Sequence, residues 1–362
     1  MTQLPVTFVF HPEWWHRNYG ISFERDFFYD AKTRVEVDLK MRQILNERFA
    51  KYGLEQGENP EPRPCIGAVH LAAGYIISEL FGCKVEFSAG ASPQVIPKNI
   101  SDQEADALEP VNLAESAVFQ ELKQMIEELK QRFGYVVGDI NWQGVLNVAL
   151  DLRGEKIFID MILEPERSKR IFGAITETIR EFVTYISQET GTTSISVNRS
   201  VKFIEPTINL HSNCSVTMIS ADTYRQMLLE YDQQLAESLK LYGIHHCGSN
   251  MHLYAAVYAE VPNVCFFDVG WGSDIALCRK ELPDAFLNLR YDPVKIRDAA
   301  PEEIRADLLG MLTASGNPEK TGVCCINMGH DVPDENIATV IETVAEYRNG
   351  LSVRVGYGPK CK

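Results

Sequence analysis

The sequence predicts an α/β protein built as a (β/α)8 TIM barrel with an N-terminal extension. Short β-branched or aromatic runs alternate with longer runs of helical character along the whole chain, and eight of the short runs have the character of strands. Strands that alternate with helices predict parallel βαβ units, and eight such units can close into a barrel. A chain of 362 residues accommodates that barrel with additions, so we expect a single domain over residues 1–362.

The first half of the chain supplies four predicted strands, near residues 6–10, 85–87, 135–137 and 207–210. Apolar residues at helical spacing predict helices over 35–50, 68–81, 112–133 and 165–190. The last of these has Pro165 near its start and Gly191 after its end, which is the expected asymmetry of a helix. The stretch 55–64 is rich in Pro, Gly and Glu and is predicted to be a loop.

The second half repeats the alternation with four more strands, near residues 243–246, 264–268, 285–289 and 322–327. Ser220 is a suitable N-cap for the helix that precedes the first of them. Helices are predicted over 251–259, 274–281, 301–313 and 334–347. Acidic residues in the first turn of the helix at 301–313 favour its start at Pro301, because they complement the helix dipole.

Composition excludes several classes of function. A net charge of -15 and a pI near 5.1 disfavour binding to nucleic acid or to an anionic membrane, since both need clustered Lys and Arg. The nine cysteines have no framework spacing, which is typical of a reduced intracellular protein rather than a disulfide scaffold. No secretory signal precedes the first strand, and no apolar run approaches the roughly 18 residues of a membrane span. We therefore expect a cytoplasmic protein.

The segment after the fifth predicted strand indicates a metal site. His245 and Cys247 are two residues apart, and an imidazole and a thiolate at this spacing can bind one borderline metal ion, above all zinc. Asp268 ends the next apolar run, and the eighth strand ends with Cys324, Cys325 and His330. Donors at the ends of successive strands would meet at the carboxyl end of a barrel, where catalytic groups gather.

Other polar and aromatic side chains follow the predicted strand ends. The candidates for contact with a substrate include an aromatic cluster after the first strand, and they are His11, Trp14, Trp15, Tyr19, Asn141 and Asn213. Aromatic walls with a few polar groups are typical of a small-molecule pocket. His211 and Asp268 are the candidates for catalytic residues, because they occupy the ends of the fourth and sixth strands.

Three segments resemble the uroporphyrinogen decarboxylase superfamily. The Leu-Arg-Tyr-Asp-Pro run at 289–293, followed by Ala-Pro-Glu-Glu-Ile at 300–304, is similar to the segment of its seventh strand. The Asn-Met-Gly-His run at 327–330 is similar to its Asn-x-Gly-His signature, and Gly-Asp-Ile-Asn-Trp at 138–142 lies where the family has a Gly-x-Pro-Trp turn. The resemblance covers most of the chain and implies a (β/α)8 barrel.

Within this superfamily, the chain is similar to the zinc- and corrinoid-dependent methyltransferases. The decarboxylases have an Arg-Gln-Ala-Gly-Arg segment near the N-terminus, but the corresponding stretch of this chain retains only Arg17. The methyltransferases have His-x-Cys-Gly after strand five, as at residues 245–248. The Trp-Trp-His run at 14–16 looks most like the O-demethylase methyltransferases.

The resemblance implies a third zinc ligand near the end of strand eight, where related methyltransferases have a cysteine. His330 occupies that place in this sequence, while Cys325 and Cys324 are alternatives inside the strand. Side chains alternate across a strand, so at most one of the two cysteines should face the barrel. Asp268 is a candidate fourth ligand that substrate would displace, because a catalytic zinc site keeps one open position.

The implied reaction is methyl transfer from a methoxylated, aromatic substrate to the cobalt(I) of a corrinoid on a separate protein. The chain has no Asp-x-His-x-x-Gly run of the corrinoid-binding type, so we expect a corrinoid protein as partner. Two alternatives are a methylcobamide:coenzyme M type of methyltransferase and a uroporphyrinogen decarboxylase. The sequence leaves a homodimer open.

Overall fold

The computed structural model of the chain describes residues 4–52, 61–67, 74–191, 208–239 and 241–356. The strands in these residues are β1 (Val6–Phe10), β2 (Cys65–Gly67), β3 (Lys84–Ser88), β4 (Ala91–Ile96), β5 (Val137–Asp139), β6 (Asn209–Ser212), β7 (Tyr242–His246), β8 (Val264–Val269), β9 (Phe286–Tyr291) and β10 (Thr321–Met328). The helices are α1 (Pro12–Tyr19), α2 (Arg25–Tyr29), α3 (Ala31–Phe49), α4 (Ile76–Leu80), α5 (Asp102–Asp106), α6 (Ala117–Phe133), α7 (Val145–Arg153), α8 (Lys156–Leu163), α9 (Pro165–Thr190), α10 (Ala221–Met227), α11 (Leu229–Leu239), α12 (Ala255–Tyr258), α13 (Ile275–Glu281), α14 (Pro293–Asp298), α15 (Pro301–Ser315) and α16 (Asp334–Gly356).

Eight of these strands are parallel and form the barrel. Six of them make one sheet in the order β1-β10-β9-β8-β7-β6, while β2 and β5 make a parallel pair. A parallel bridge between Gln143 and Ser212 joins the end of β5 to β6, and a bridge between Gly74 and Asn141 extends the β2–β5 pair. The predicted α/β class and barrel architecture are confirmed, and helices α1–α3 and the β3–β4 hairpin embellish the N-terminal third.

The second barrel strand differs from the prediction. Residues 84–88 form an antiparallel hairpin with β4, and none of the five is buried, so this run lies outside the barrel. The barrel strand is instead Cys65–Gly67, which pairs with β5. This strand has three residues and ends in glycine, so its apolar run is too short to be recognised as a strand. The alternating sequence of β3 gives a clearer strand pattern.

Helix α9 has the predicted ends, but α3 begins four residues before the predicted start, α6 begins five residues after it, and α16 continues nine residues past its predicted end. Ser116 caps α6 by accepting a hydrogen bond from the Phe119 N–H, and Gly134 ends the helix with φ 81°. The buried positions of α6 are Phe119, Leu122, Met125, Ile126 and Leu129, a single face at helical spacing. Burial of each such side chain contributes roughly 1.5–3 kcal/mol, which is what holds the helix against the barrel.

The helices of the described residues include none that is long and apolar enough to cross a lipid bilayer. The buried apolar side chains form one hydrophobic cluster, and it includes residues of the barrel strands and of the surrounding helices. This packing holds the carboxyl ends of β6 to β10 in fixed register, which decides which polar side chains can meet there.

Candidate metal centre

Strand register brings the polar residues at the barrel mouth into two layers. Ser212 pairs with His245, His245 with Asp268, and Asp268 with Asn288, so these four residues of β6 to β9 lie side by side. Two positions further along and nearer the mouth come Cys214, Cys247, Gly270 and Arg290, which form the second layer. Arg290 is still within β9, whereas the other three follow the ends of their strands.

Three potential metal ligands from these two layers converge. The ligand atoms of Cys214, His245 and Cys247 all lie within 4.8 Å of one another. His245 is 2% exposed, and both cysteines are free and only partly buried. Two thiols and an imidazole are donors that zinc prefers, and a set of three protein ligands leaves the fourth position of a tetrahedral site open. The donor set therefore fits a catalytic zinc ion.

A carboxylate orients the imidazole of this group. Nδ1 of His245 lies 2.5 Å from Oδ2 of Asp268, and the other oxygen of Asp268 accepts a hydrogen bond of 2.7 Å from the Asn288 side-chain amide. With Nδ1 engaged by the carboxylate, Nε2 remains for a metal ion. Asp268 is 0% exposed, so its placement supports an orienting role more directly than a role as fourth ligand.

The charges in the group favour a thiolate on Cys247. A hydrogen bond from the Cys214 thiol, together with His245, lowers the pKa of Cys247, although burial acts in the opposite direction. The same bond and burial raise the pKa of Cys214, so the pair holds its first negative charge on Cys247. Burial acts to lower the pKa of His245, but the hydrogen bonds with Asp268 and Cys247 raise it overall. Metal binding needs deprotonated ligands, and this arrangement supplies the first of them.

Cys214 takes the place that the sequence prediction gave to His330 or Cys325. One of the two adjacent cysteines of β10 faces the barrel, as expected, but it is Cys324, which interacts with Asn288 and Asp268. Cys325 points the other way and is 0% exposed, and burial alone raises its pKa. Among the described residues, the three-ligand group includes neither cysteine of β10.

His330 lies over α1 rather than at the metal centre. The pairing of β1 with β10 shifts between Val9 and Phe10, and Asn327 has a left-handed backbone with φ 61°. Beyond this bulge, Nε2 of His330 lies 3.1 Å from Arg17 and Nδ1 lies 3.5 Å from Glu13. The prediction of His330 as a ligand is therefore not supported by the geometry, because the bulge redirects the chain toward α1.

The aromatic cluster after β1 forms a packed helix instead of a pocket wall. His11 caps α1 by accepting a hydrogen bond from the Glu13 N–H, and Trp14 and Trp15 are both 0% exposed. The ring of Trp14 lies 4.2 Å from Phe10, and the Tyr19 hydroxyl accepts a hydrogen bond of 2.8 Å from Arg48. These contacts leave the two tryptophans no surface for a substrate, so both belong to the core of the fold.

His211 and Asn213 lie in a buried polar network beside the centre. Trp142 donates to Nδ1 of His211 over 3.1 Å, while Nε2 lies 3.3 Å from Asp232. The contact between Nε2 of His211 and Asp232 does not have the geometry of a hydrogen bond. Asn213 donates to the same carboxylate over 2.9 Å. Both side chains are buried, so the structure favours a supporting role over direct contact with substrate.

Asn141 lines a small pocket at the mouth of the barrel. Its side-chain oxygen accepts a hydrogen bond of 2.8 Å from Ser212, the β6 residue that pairs with His245. The pocket is otherwise mostly apolar, and its lining includes Phe28, Tyr29, Gly67, Tyr75, Ile76, Leu122 and Ile140. An aromatic wall therefore exists one strand away from the metal group, but it comes from α2 and the segment before α4.

Cys214, Asn288 and the aromatic residues of this pocket were not predicted as site residues. Cys214 lies two residues after Ser212, as Cys247 lies two residues after His245, and Ser212 pairs with His245. This matching spacing is the sequence feature that could have identified Cys214 as a ligand. Asn288 lies inside an apolar run, where only the register with Asp268 reveals its function. Phe28 and Tyr29 have no sequence feature that distinguishes them from ordinary core residues.

The fold and this geometry define a class of protein, namely a (β/α)8 barrel with a thiol–imidazole group at its mouth. A family model described as "Uroporphyrinogen decarboxylase (URO-D)" matches residues 68–347. The chain therefore belongs to the URO-D family, and the superfamily predicted from the sequence is confirmed.

Curated relatives and solved structures agree with this assignment. The chain is 25% identical over 210 residues to the uroporphyrinogen decarboxylase of Chlorobium limicola, an alignment that covers 51% of each protein. It is 24% identical over 294 residues to that of Chlorobaculum parvum, covering 75% of this chain and 77% of the relative. The chain thus spans about half the length of the first relative.

Two solved structures resemble the whole chain. A methyltransferase from Methanosarcina mazei has a TM-score of 0.67 at 15% identity and covers 96% of this chain and 95% of its own. A B12-independent methionine synthase from Shewanella sp. W3-18-1 has a TM-score of 0.50 at 11% identity, covering 97% and 100%. At these identities the likeness shows a shared fold.

Proposed function

We propose that this protein is a zinc-dependent methyltransferase that moves a methyl group from a methoxylated aromatic substrate to the cobalt(I) of a corrinoid on a separate protein. The single observation that carries the proposal is the convergence of Cys214, His245 and Cys247 at the barrel mouth. A decarboxylase site for a porphyrinogen needs cations that hold many carboxylates, whereas two thiols and an imidazole are suited to a metal ion. A methyltransferase among the similar folds is consistent with this proposal.

Each residue of the centre has a definite task in this proposal. Cys214, Cys247 and Nε2 of His245 would hold the metal, and Asp268 and Asn288 would keep the imidazole in one orientation. Zinc held there would supply a Lewis acid that stabilises the negative charge developing on the departing phenolate oxygen. His245, Asp268 and Asn288 are buried, which strengthens the electrostatic interactions among them.

The aromatic ring would lie against the opening of the pocket beside Asn141, because the free volume inside it, about 20 Å³, holds about one water molecule. Phe28 and Tyr75 approach edge to face with centroids 5.4 Å apart, and Tyr29 lines the same pocket, which together form a surface suited to a flat ring. Asn141 accepts a hydrogen bond from Ser212, the residue opposite His245, so a ring at this pocket would lie near the metal group. The corrinoid protein would dock over the open end of the barrel and approach the substrate methyl group.

Two other functions remain as alternatives. A methylcobamide:coenzyme M methyltransferase would use the same metal group to activate a thiol, and the thiol-rich centre suits both reactions. A uroporphyrinogen decarboxylase is favoured by the names of the curated relatives. The stretch after β1 retains only Arg17 of the expected arginines, however, and this side chain contacts His330 and Glu13.

Metal analysis followed by methyl transfer assays tests the proposal. We expect about one zinc ion per chain, and transfer of methyl from one or more methoxyarenes to free cob(I)alamin when the zinc-loaded protein is present. Removal of zinc by a chelator should abolish transfer, and added zinc should restore it. Conversion of uroporphyrinogen to coproporphyrinogen, or methylation of coenzyme M without any reaction of methoxyarenes, would overturn the proposal in favour of the corresponding alternative.

A further inference from the structure

Arg290 is a cation without a partner at the mouth of the barrel. Within the described residues, its guanidinium donates no hydrogen bond and forms no ion pair, although Nη1 is buried. Arg153, by contrast, contacts Asp160, Asp102 and the Ile100 carbonyl. The donors of the buried Arg34 also lack partners among the described residues, but its guanidinium lies over the Phe27 ring. The position of Arg290 therefore needs another explanation.

The register of the sheet directs Arg290 toward the metal group. Arg290 lies two residues beyond Asn288 on β9, so both side chains extend from the same face of the strand. Asn288 donates to Asp268 inside the barrel, and Arg290 lies one layer nearer the mouth, level with Cys247.

The strand between Cys247 and Arg290 contributes no side chain to this layer. Gly270 occupies this layer on β8's carboxyl side, and a Cβ atom there would lie 2.1 Å from the Gly248 carbonyl oxygen. The position therefore excludes every side chain, because close backbone packing requires glycine. No side chain of β8 therefore separates Cys247 from Arg290 in this layer.

A partly buried guanidinium whose donors are unused destabilises the protein unless an anion offsets it. Removing polar donors from water without replacing their hydrogen bonds is unfavourable, and the effect is larger when the group is charged. The planar guanidinium matches two oxygens of a carboxylate or sulfonate, which can accept two parallel hydrogen bonds. The chemistry of the vacant donors thus specifies an anionic oxygen group.

We propose that Arg290 binds a carboxylate or sulfonate group of the substrate and makes the site selective for anionic substrates. This inference rests on the proposed function, because it assumes that the substrate binds at the metal group. The anion has two sources in the reactions considered above, namely a carboxylate on the methoxyarene or the sulfonate of a thiol acceptor. Both would lie between Arg290 and the centre and would therefore be positioned for reaction.

Matched pairs of probes separate the two sources and do not require turnover. Calorimetric titration of the zinc-loaded, full-length protein would compare 4-methoxybenzoate with methoxybenzene, and 2-mercaptoethanesulfonate with 2-mercaptoethanol. We expect the anionic member of at least one pair to bind roughly tenfold or more tightly than its neutral counterpart. The pair that shows the preference identifies the source of the anion.

The variants Arg290→Gln and Arg290→Lys test whether the guanidinium causes this preference. Arg290→Gln should remove it while zinc content stays unchanged, and Arg290→Lys should retain part of it, since the charge remains but the paired geometry is lost. Equal binding of both members of each pair by the unmodified protein would overturn the inference, and so would binding of neither. Loss of zinc with an intact anion preference in Arg290→Gln would also overturn it, because Arg290 would then only balance the thiolates. Zinc content and methyl transfer report separately on the proposed function.

Discussion

Asp268 holds His245 through a contact of 2.5 Å between Oδ2 and Nδ1, and neither side chain is more than 3% exposed. The same carboxylate accepts a hydrogen bond from Asn288 through its second oxygen. The imidazole is therefore fixed in rotation and in tautomer before any metal binds, which makes the group a preformed site.

The first prediction concerns this contact. Asp268→Asn keeps the size of the side chain but removes the negative charge that orients His245, so zinc affinity should fall about 10- to 100-fold. Competition with a chromogenic chelator measures this change. Asp298→Asn is a suitable control, because Asp298 is exposed and pairs only with Arg297 among the contacts of the described residues. Unchanged affinity in Asp268→Asn would contradict the orienting role.

The second prediction distinguishes Cys214 from the ligands expected from the sequence. Cys214→Ser removes one thiol of the converged group, and bound zinc should fall to a small fraction of that in the unmodified protein. Cys325→Ser and His330→Gln should retain full zinc, since both residues lie elsewhere in the structure. Elemental analysis of the purified proteins measures the zinc content of each variant. Zinc loss in His330→Gln with full zinc in Cys214→Ser would reverse the assignment.

The third prediction concerns Trp14, a residue of the aromatic cluster after β1. Trp14→Ala should lower the free energy of unfolding by about 3–5 kcal/mol, because it creates a cavity against Phe10, Phe49 and Tyr19. Chemical denaturation measures the change. Ile162→Ala is the matched control, because Ile162 is 78% exposed and should change stability by no more than about 0.5 kcal/mol. A variant of normal stability with a raised KM for the arene would instead support direct substrate contact.

The fourth prediction concerns the dependence of stability on pH. Burial lowers the pKa of His211 below its ordinary value of 6.5, and the opposing effect of Asp232 is smaller. Below pH 6.5 the imidazole of His211 binds a proton in the unfolded chain but not in the folded protein. The free energy of unfolding should therefore fall as pH decreases from about 6.5. The slope for this one group is at most about 1.4 kcal/mol per pH unit.

Denaturation between pH 7 and 5 should show a smaller slope in His211→Gln than in His16→Gln, where the histidine is exposed. Equal slopes in the two variants would contradict the prediction.

The barrel could be predicted from sequence because seven of its strands have apolar runs long enough to recognise. The remaining strand, β2, has three residues between a proline-rich stretch and a glycine, so local pattern could not separate it from the β3–β4 hairpin. Residues 68–73, which were predicted as part of a helix, and residue 207, which was predicted as the start of a strand, lie outside the described residues. The predicted ends of α6 and α9 before Gly134 and Gly191 were confirmed, because a glycine with a left-handed backbone ends a helix through contacts local in the chain.

Sequence by itself determined that His245 and Cys247 belong to one centre. Side chains two residues apart at the end of a strand share a face whatever the rest of the fold does, so their proximity is a local property. The alternation of side chains along β10 likewise determines that one of Cys324 and Cys325 faces the barrel. It does not determine which of the two does so.

Tertiary structure decided the third ligand and the partners of the centre. Cys214 reaches Cys247 because β6 pairs with β7 in a register that aligns Ser212 with His245, and no local pattern specifies that register. The pairing of β8 with β9 aligns Asp268 with Asn288 and places Arg290 one layer nearer the mouth than Asn288. Likewise, Trp14 looks like a pocket residue in sequence but is buried, because the chain folds α1 over β1. The physical reason is common to all these cases: contacts between strands depend on how the whole sheet packs, which is a property of the assembled core.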